Sequence, residues 1–176
     1  MRIEQLRQEF DLDLRWTVFP LHPETPELGQ TLEQLFAGRI DVASVLGRLK
    51  QVADSLELPF SARTHTYNSR RAQELGKWAE QQGRGDAFRA AIYRAYFAEG
   101  RNIAKPTELI DIVTALGLSE PEAKQVLNEQ TFASAVNADW QRSRSLGVSS
   151  VPTHRYENRT LIGFQDYAAF RRLISS

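Results

Sequence analysis

From Asp41 to Leu146 apolar residues recur at helical spacing almost without interruption, and on either side of that stretch the period falls to two. A chain patterned this way is neither an all-helical bundle nor an all-β barrel. It reads as α/β, with an all-helical subdomain over residues 41–146 inserted into a smaller strand-bearing part made of residues 1–40 and 147–176. Inside the insertion, Val42, Val45, Leu46, Leu49, Val52, Ala53 and Leu56 form one stripe. A second helix runs from an N-cap at Asn68 through Leu75 and Trp78 to Gly83, and a third from Ala87 to Phe97, closed by Gly100. A fourth follows Pro106, capped by Thr107 and stopped by Gly117. Ser119 and Glu122 have the spacing of a capping box for a fifth, ending near Gln130, and a sixth covers Phe132 to Leu146. The aromatic run around Tyr93, Tyr96 and Phe97 has the spacing of core packing, so Trp78, Phe88, Tyr96 and Phe97 are expected to be buried.

The flanks read differently. Arg2 to Phe10 is helical, with Ile3, Leu6 and Phe10 on one face. Asp11 to Pro20 alternates, placing Leu12, Leu14, Trp16 and Val18 on one side, and so predicts a strand that Pro20, Pro23 and Pro26 end in an extended loop. Beyond Gly147, a loop leads through Pro152 to a strand over Thr153–Glu157, a turn at Glu157–Arg159 and a strand over Thr160–Phe164. So short a link makes the pair an antiparallel hairpin. Asp166 then opens a closing helix with Ala169, Phe170, Leu173 and Ile174 inward.

Charge and composition exclude several classes of function. Lysine plus arginine and aspartate plus glutamate each number 22, for a net charge of zero. That balance lacks the electrostatic footprint of a nucleic-acid binder or a polybasic membrane-surface protein. No apolar run approaches the roughly 18 residues that would cross a bilayer, and the charged opening MRIEQLRQEF is unlike a signal peptide, so the chain reads as cytoplasmic. The 176 residues include no cysteine, which removes disulfides, thiolate nucleophiles, cysteine zinc sites and iron–sulfur clusters from its chemistry. His22, His65 and His154 lie far apart, without metal-ligand spacing, and neither a phosphate-binding glycine loop nor a nucleophile elbow occurs. The motifs name no catalytic residue, no metal and no cofactor.

The tail carries the most telling residues. Gly147-Val148-Ser149-Ser150-Val151-Pro152-Thr153, leading into a hairpin and a helix, resembles the cis-proline loop of the thioredoxin fold. Upstream, DLRWTVFPLHPETPELG is similar to the second strand and proline-rich loop of DsbA-like proteins of the FrnE type. The phrase IYRAYFAEGRNIAKPTELIDIVTALGL resembles their helical insertion. The resemblance spans nearly the whole chain, in order. It implies a thioredoxin-like fold with an inserted helical subdomain, and a family of thiol–disulfide oxidoreductases related to kappa-class glutathione transferases and 2-hydroxychromene-2-carboxylate isomerases.

Family members of this kind begin with a strand and a Cys-x-x-Cys turn, whereas RIEQLRQEF corresponds to the body of the helix after that turn. The resemblance therefore implies that the first strand is missing from this chain and that it is inactive in dithiol exchange. The expected substrate-binding residues are Val151, Pro152 and Asp166, with the backbone of Val151 offered to an extended peptide or thiol substrate. The alternative is a non-redox module that binds a peptide or glutathione, or a glutathione-dependent isomerase or transferase relative. There Asp166 would meet an ammonium group, although Gly163-Phe164-Gln165-Asp166 carries one residue more than the kappa-class Gly-Gln-Asp. Capping of the last helix is the competing role for Asp166. Without its first strand the sheet would hold a slot of about 9–10 Å, twice the strand spacing. A longer gene product, a partner chain or closure of the Leu14 strand on the hairpin would remove that slot, and self-association through the open sheet edge is the expected outcome.

Overall fold

The computed structural model describes residues 2–175. Helix α1 (Arg2–Glu9) opens the chain, as its apolar spacing predicts, and buries Leu6. The strand expected over residues 11–20 does not form: those residues carry no strand assignment and join no ladder. A strand exists only through a neighbour, and no strand among the described residues lies beside this segment. Its alternation is lost as well, with Leu14 exposed and residues 16–20 all half-buried. Asp139 holds the segment instead. Its carboxylate is buried, 2% exposed, and accepts the Val18 amide at 3.1 Å and the Arg15 guanidinium at 3.4 Å. A carboxylate so far from water requires such partners.

The remaining elements follow in order. They are β1 (Gln30–Thr31), α2 (Leu32–Phe36), α3 (Val42–Ser55), β2 (His65–Thr66), α4 (Arg70–Gln81) and α5 (Gly85–Phe97). Then come α6 (Pro106–Ala115), α7 (Glu120–Glu129), α8 (Ala133–Ser145), β3 (Thr153–Tyr156), β4 (Arg159–Ile162) and α9 (Tyr167–Ser175). None of the described helices is long and apolar enough to cross a membrane. The chain divides into two units, Met1–Leu21 with Asn137–Ser176, and His22–Val136. Residues 22–40 group with the helical unit, where β1 pairs antiparallel with β2, Gln30 opposite Thr66 and Thr31 opposite His65.

The core of the His22–Val136 unit lies among α4, α5, α6 and α7, with Leu75, Leu109, Val113 and Ala123 fully buried. Each large side chain so placed contributes roughly 1.5–3 kcal/mol over an exposed position. Trp78 and Phe88 are buried as expected, but Tyr96 and Phe97 are half-buried and Tyr93 is 54% exposed. The α5 stripe is therefore narrower than its aromatic content suggests, and Phe88, Ile92 and Ala95 carry it. The α3 stripe is likewise only partly covered: Ala53 is buried while Leu49 and Leu56 are exposed. Within α4, buried Glu74 pairs with Arg70 at 2.6 Å, and Arg70 also donates to the Ala133 carbonyl.

Caps fall near their expected places with local differences. Asp41 accepts from the Ser44 amide at 3.0 Å. Ser119 accepts from the Glu122 amide at 3.4 Å without a return bond, so the reciprocal box sits instead at Thr31 and Gln34. The N-cap position of α4 is Ser69 rather than Asn68, whose side chain turns back to accept the Arg70 amide and donate to the Pro23 and Thr25 carbonyls. Lys105, not Thr107, is the N-cap of α6, because Pro106 takes the first helical position, where its missing N–H costs nothing. Gly117 ends that helix at φ 71°. Gly29, at φ 83°, is required twice over: a Cβ there would come within 2.5 Å of the Tyr67 ring.

In the other unit β3 and β4 pair antiparallel from Thr153↔Ile162 to Tyr156↔Arg159. The strands are shorter than predicted and end at Tyr156 and Ile162. Glu157 takes a left-handed conformation, φ 52°, to make a two-residue turn, and Gly163 follows β4 with positive φ. Helix α9 buries Ala169 and Phe170. Phe170 meets the His154 ring edge-to-face at 4.7 Å, and Glu9 of α1 accepts from the Tyr167 hydroxyl and pairs with Arg171 at 2.7 Å.

Candidate functional site

The sequence places its candidate residues on the loop before β3 and on the approach to α9. The loop begins where Gly147 stops α8, and its far end is fastened by the Thr153 hydroxyl, which donates to the Ser150 carbonyl at 2.6 Å. The Val151–Pro152 peptide bond is cis. The Pro152 carbonyl accepts the Gly163 amide at 2.8 Å, which carries the hairpin register past its last ladder pair. In that register Val151 falls opposite Phe164. Val151 is 44% exposed, and neither its N–H nor its C=O has a hydrogen-bond partner among the described residues.

Two exposed apolar side chains lie on the facing strand and just beyond it: Ile162 is 54% exposed and Phe164 57%. The Arg2 guanidinium lies 4.2 Å from the centre of the Phe164 ring. These residues were not singled out by sequence. Phe164 reads as the last residue of a strand, and it falls two residues beyond Ile162, on the face of β4 that is exposed. His154, on β3, is half-buried, and burial against its surroundings pushes its imidazole below the ordinary value near 6.5.

Asp166 is exposed, and its Oδ1 accepts the Ala169 amide at 2.7 Å, so it does cap α9. No hydrogen bond or ion pair joins it to Val151 or Pro152 among the described residues. The candidates thus separate by chemistry. Val151 and Pro152 form one surface with Ile162 and Phe164, offering backbone donors and acceptors beside apolar side chains. Asp166 already spends one oxygen on the helix. None of these residues is a nucleophile, and the arrangement can hold an extended chain but has no group to form a covalent bond with it.

Comparison with known proteins agrees with this architecture. The family model for the DSBA-like thioredoxin domain matches residues 1–175. Among solved structures, a probable DsbA oxidoreductase from Streptomyces coelicolor superposes with a TM-score of 0.87 at 22% identity, over 97% of this chain and 79% of that one. A structure described as a putative protein disulfide isomerase from Nitrosomonas europaea superposes with a TM-score of 0.69 at 19% identity, over 98% of this chain and 85% of that one. No curated protein matches the sequence. At these identities the superpositions establish the fold, and the family model establishes membership: the chain belongs to the DSBA-like thioredoxin domain family.

Proposed function

We propose that this chain is a FrnE-type DsbA-like domain that holds an extended peptide along Val151 and Pro152 without exchanging disulfides with it. The observation that carries the reading is the backbone of Val151, an exposed residue whose N–H and C=O have no partner among the described residues. Strand addition supplies the complementary groups, and Ile162 and Phe164 give a peptide's alternate side chains an apolar surface. Dithiol exchange requires a thiolate to attack a substrate disulfide, and these 176 residues contain none. The glutathione reading receives less support, because Asp166 is engaged as a cap.

Titrating the isotopically labelled chain with S-carboxymethylated insulin B chain tests the proposal. Shifts centred on Val151, Thr153 and Phe164, with no reduction of intact insulin, are expected. Shifts elsewhere, or none, would remove the peptide reading, and insulin reduction would remove the non-redox one. Glutathione should leave the Asp166 and Ala169 resonances unmoved. Sedimentation of the chain alone separates peptide capture from the same edge pairing with a second copy.

A further inference from the structure

The helical unit contains a cleft of about 270 Å³ lined by Arg63, Thr64, His65, Tyr67, Tyr96 and Glu99 together with the backbone turn at Gly100. Arg63 is its most constrained member. The guanidinium stacks over the Tyr96 ring at 4.7 Å and the Phe97 ring at 5.3 Å. Its Nη1 donates to the Tyr96 hydroxyl and to the His65 carbonyl, and the Tyr96 hydroxyl donates in turn to Thr66 Oγ1 at 3.2 Å. Those bonds fix the group while spending only one of its nitrogens. The Nε hydrogen is buried with no acceptor, and neither Nε nor Nη2 has a partner among the described residues. No carboxylate among the described residues pairs with this arginine. Glu99, the acid nearest the cleft, is neutralised by Arg94 at 3.0 Å and Arg101 at 3.9 Å.

An arginine oriented by aromatic rings, with Nη2 unspent and not buried, presents a fixed charged donor to an oxyanion. The neighbouring polar groups suit the same ligand. Thr64 Oγ1 and His65 Nδ1 lie 2.8 Å apart, and the His65 ring stacks against Tyr67 at 6.2 Å, forming a flat wall. The volume is at the small end of ligand sites, enough for a single-ring molecule but not for a nucleotide. The aromatic run in α5 serves this group as well: Tyr96, which packs against the core cluster, and Phe97 are half-buried and carry Arg63 on their rings. We propose that this cleft binds a small organic oxyanion, a carboxylate or phosphate on a flat body, held by Arg63 with Thr64 and His65 beside it.

The test is calorimetric titration of the full chain with benzoate, phenyl phosphate, inorganic phosphate and, as the uncharged match, benzamide. Saturable one-to-one binding of benzoate or phenyl phosphate is expected, with none for benzamide. Preference between the two rings identifies the headgroup, and inorganic phosphate shows whether the flat body is needed. Losing a charge-assisted hydrogen-bonded pair should weaken binding about tenfold or more in Arg63→Gln, and Arg63→Lys, which keeps the charge without the fork, should fall between. Arg48→Gln, on the exposed side of α3, should bind like the parent. Thermal melts of each variant report folding, and should Arg63→Gln not fold, Arg63→Lys carries the comparison. Absence of saturable binding by the folded parent, equal binding of benzamide, or an Arg63→Lys affinity equal to the parent would each overturn the proposal.

Discussion

The α4–α7 core and the hairpin unit are built on opposite principles. In the helical unit the helices of the core are specified mainly by residues close in sequence, an apolar stripe and a stop, and they then bury one another. Leu75, Phe88, Leu109 and Val113 are sealed in a single cluster. In the unit of Met1–Leu21 and Asn137–Ser176 the buried apolar residues are few: Leu6, Ala169 and Phe170. There the backbone is held by long-range polar bonds, Asp139 to Val18 above all, and by a hairpin whose outer edges have no partner among the described residues. The difference teaches where stability and binding separate. The sealed cluster itself offers nothing to a ligand, which must bind outside it, at a strand edge with unmet backbone groups or in the cleft beside Arg63.

The comparison can be broken most severely in the core. Phe88→Ala should cost about 3–5 kcal/mol, read as a lower urea midpoint in the helical circular-dichroism signal. A loss near zero would mean that the cluster is not the source of stability. Asp139→Ala should cost about 2 kcal/mol by stranding the Val18 amide and Arg15, and should speed amide exchange over residues 11–20 while α4–α7 stay protected. Equal loss of protection in both places would show the segment to be coupled to the core. Asp139→Asn, which keeps an acceptor for Val18, should cost less. Ser119→Ala removes one α7 cap and should cost about 1 kcal/mol, with its effect on exchange confined to the start of that helix.

The smallest effect is the pH dependence of the hairpin unit. His154 has its folded proton affinity pushed down by burial, so between its folded value and the unfolded value near 6.5 the unfolded chain binds more protons. Stability therefore rises with pH through that window and is lost as pH falls through it. His154→Gln should flatten the profile there. His22, depressed by burial and then by the Arg63 guanidinium, contributes in the same direction from the helical unit, so some slope should remain.

What could be read from sequence divides along the same line. Helices α3 to α8 were legible because 3.6-residue periodicity, Gly117 and Asp41 are local signals. Their first turns were less so: Asn68 and Thr107 look like caps, but the cap is a backbone conformation, which Ser69 and Lys105 adopt. The segment from Asp11 to Pro20 has a strand's alternation without a strand's neighbour, and no reading of one segment supplies a neighbour. At the candidate site, Val151 and Pro152 were legible from the loop's resemblance to a family motif. Ile162 and Phe164 were not, since alternation marks two faces of a strand without showing which one is left uncovered. Arg63 was also missed, because its lack of a carboxylate partner among the described residues is a fact of three dimensions.

Native-state hydrogen exchange of the full chain tests the central contrast most directly. Amides of α4 to α7 should exchange only through global unfolding, while those of Leu12, Leu14 and Val151 should exchange at nearly the rate of an unstructured peptide, with the Val18 amide protected by Asp139. Protection of Leu14 and Val151 as strong as that of Leu75 and Val113 in the isolated chain would contradict the account, because those backbone groups would then already be paired.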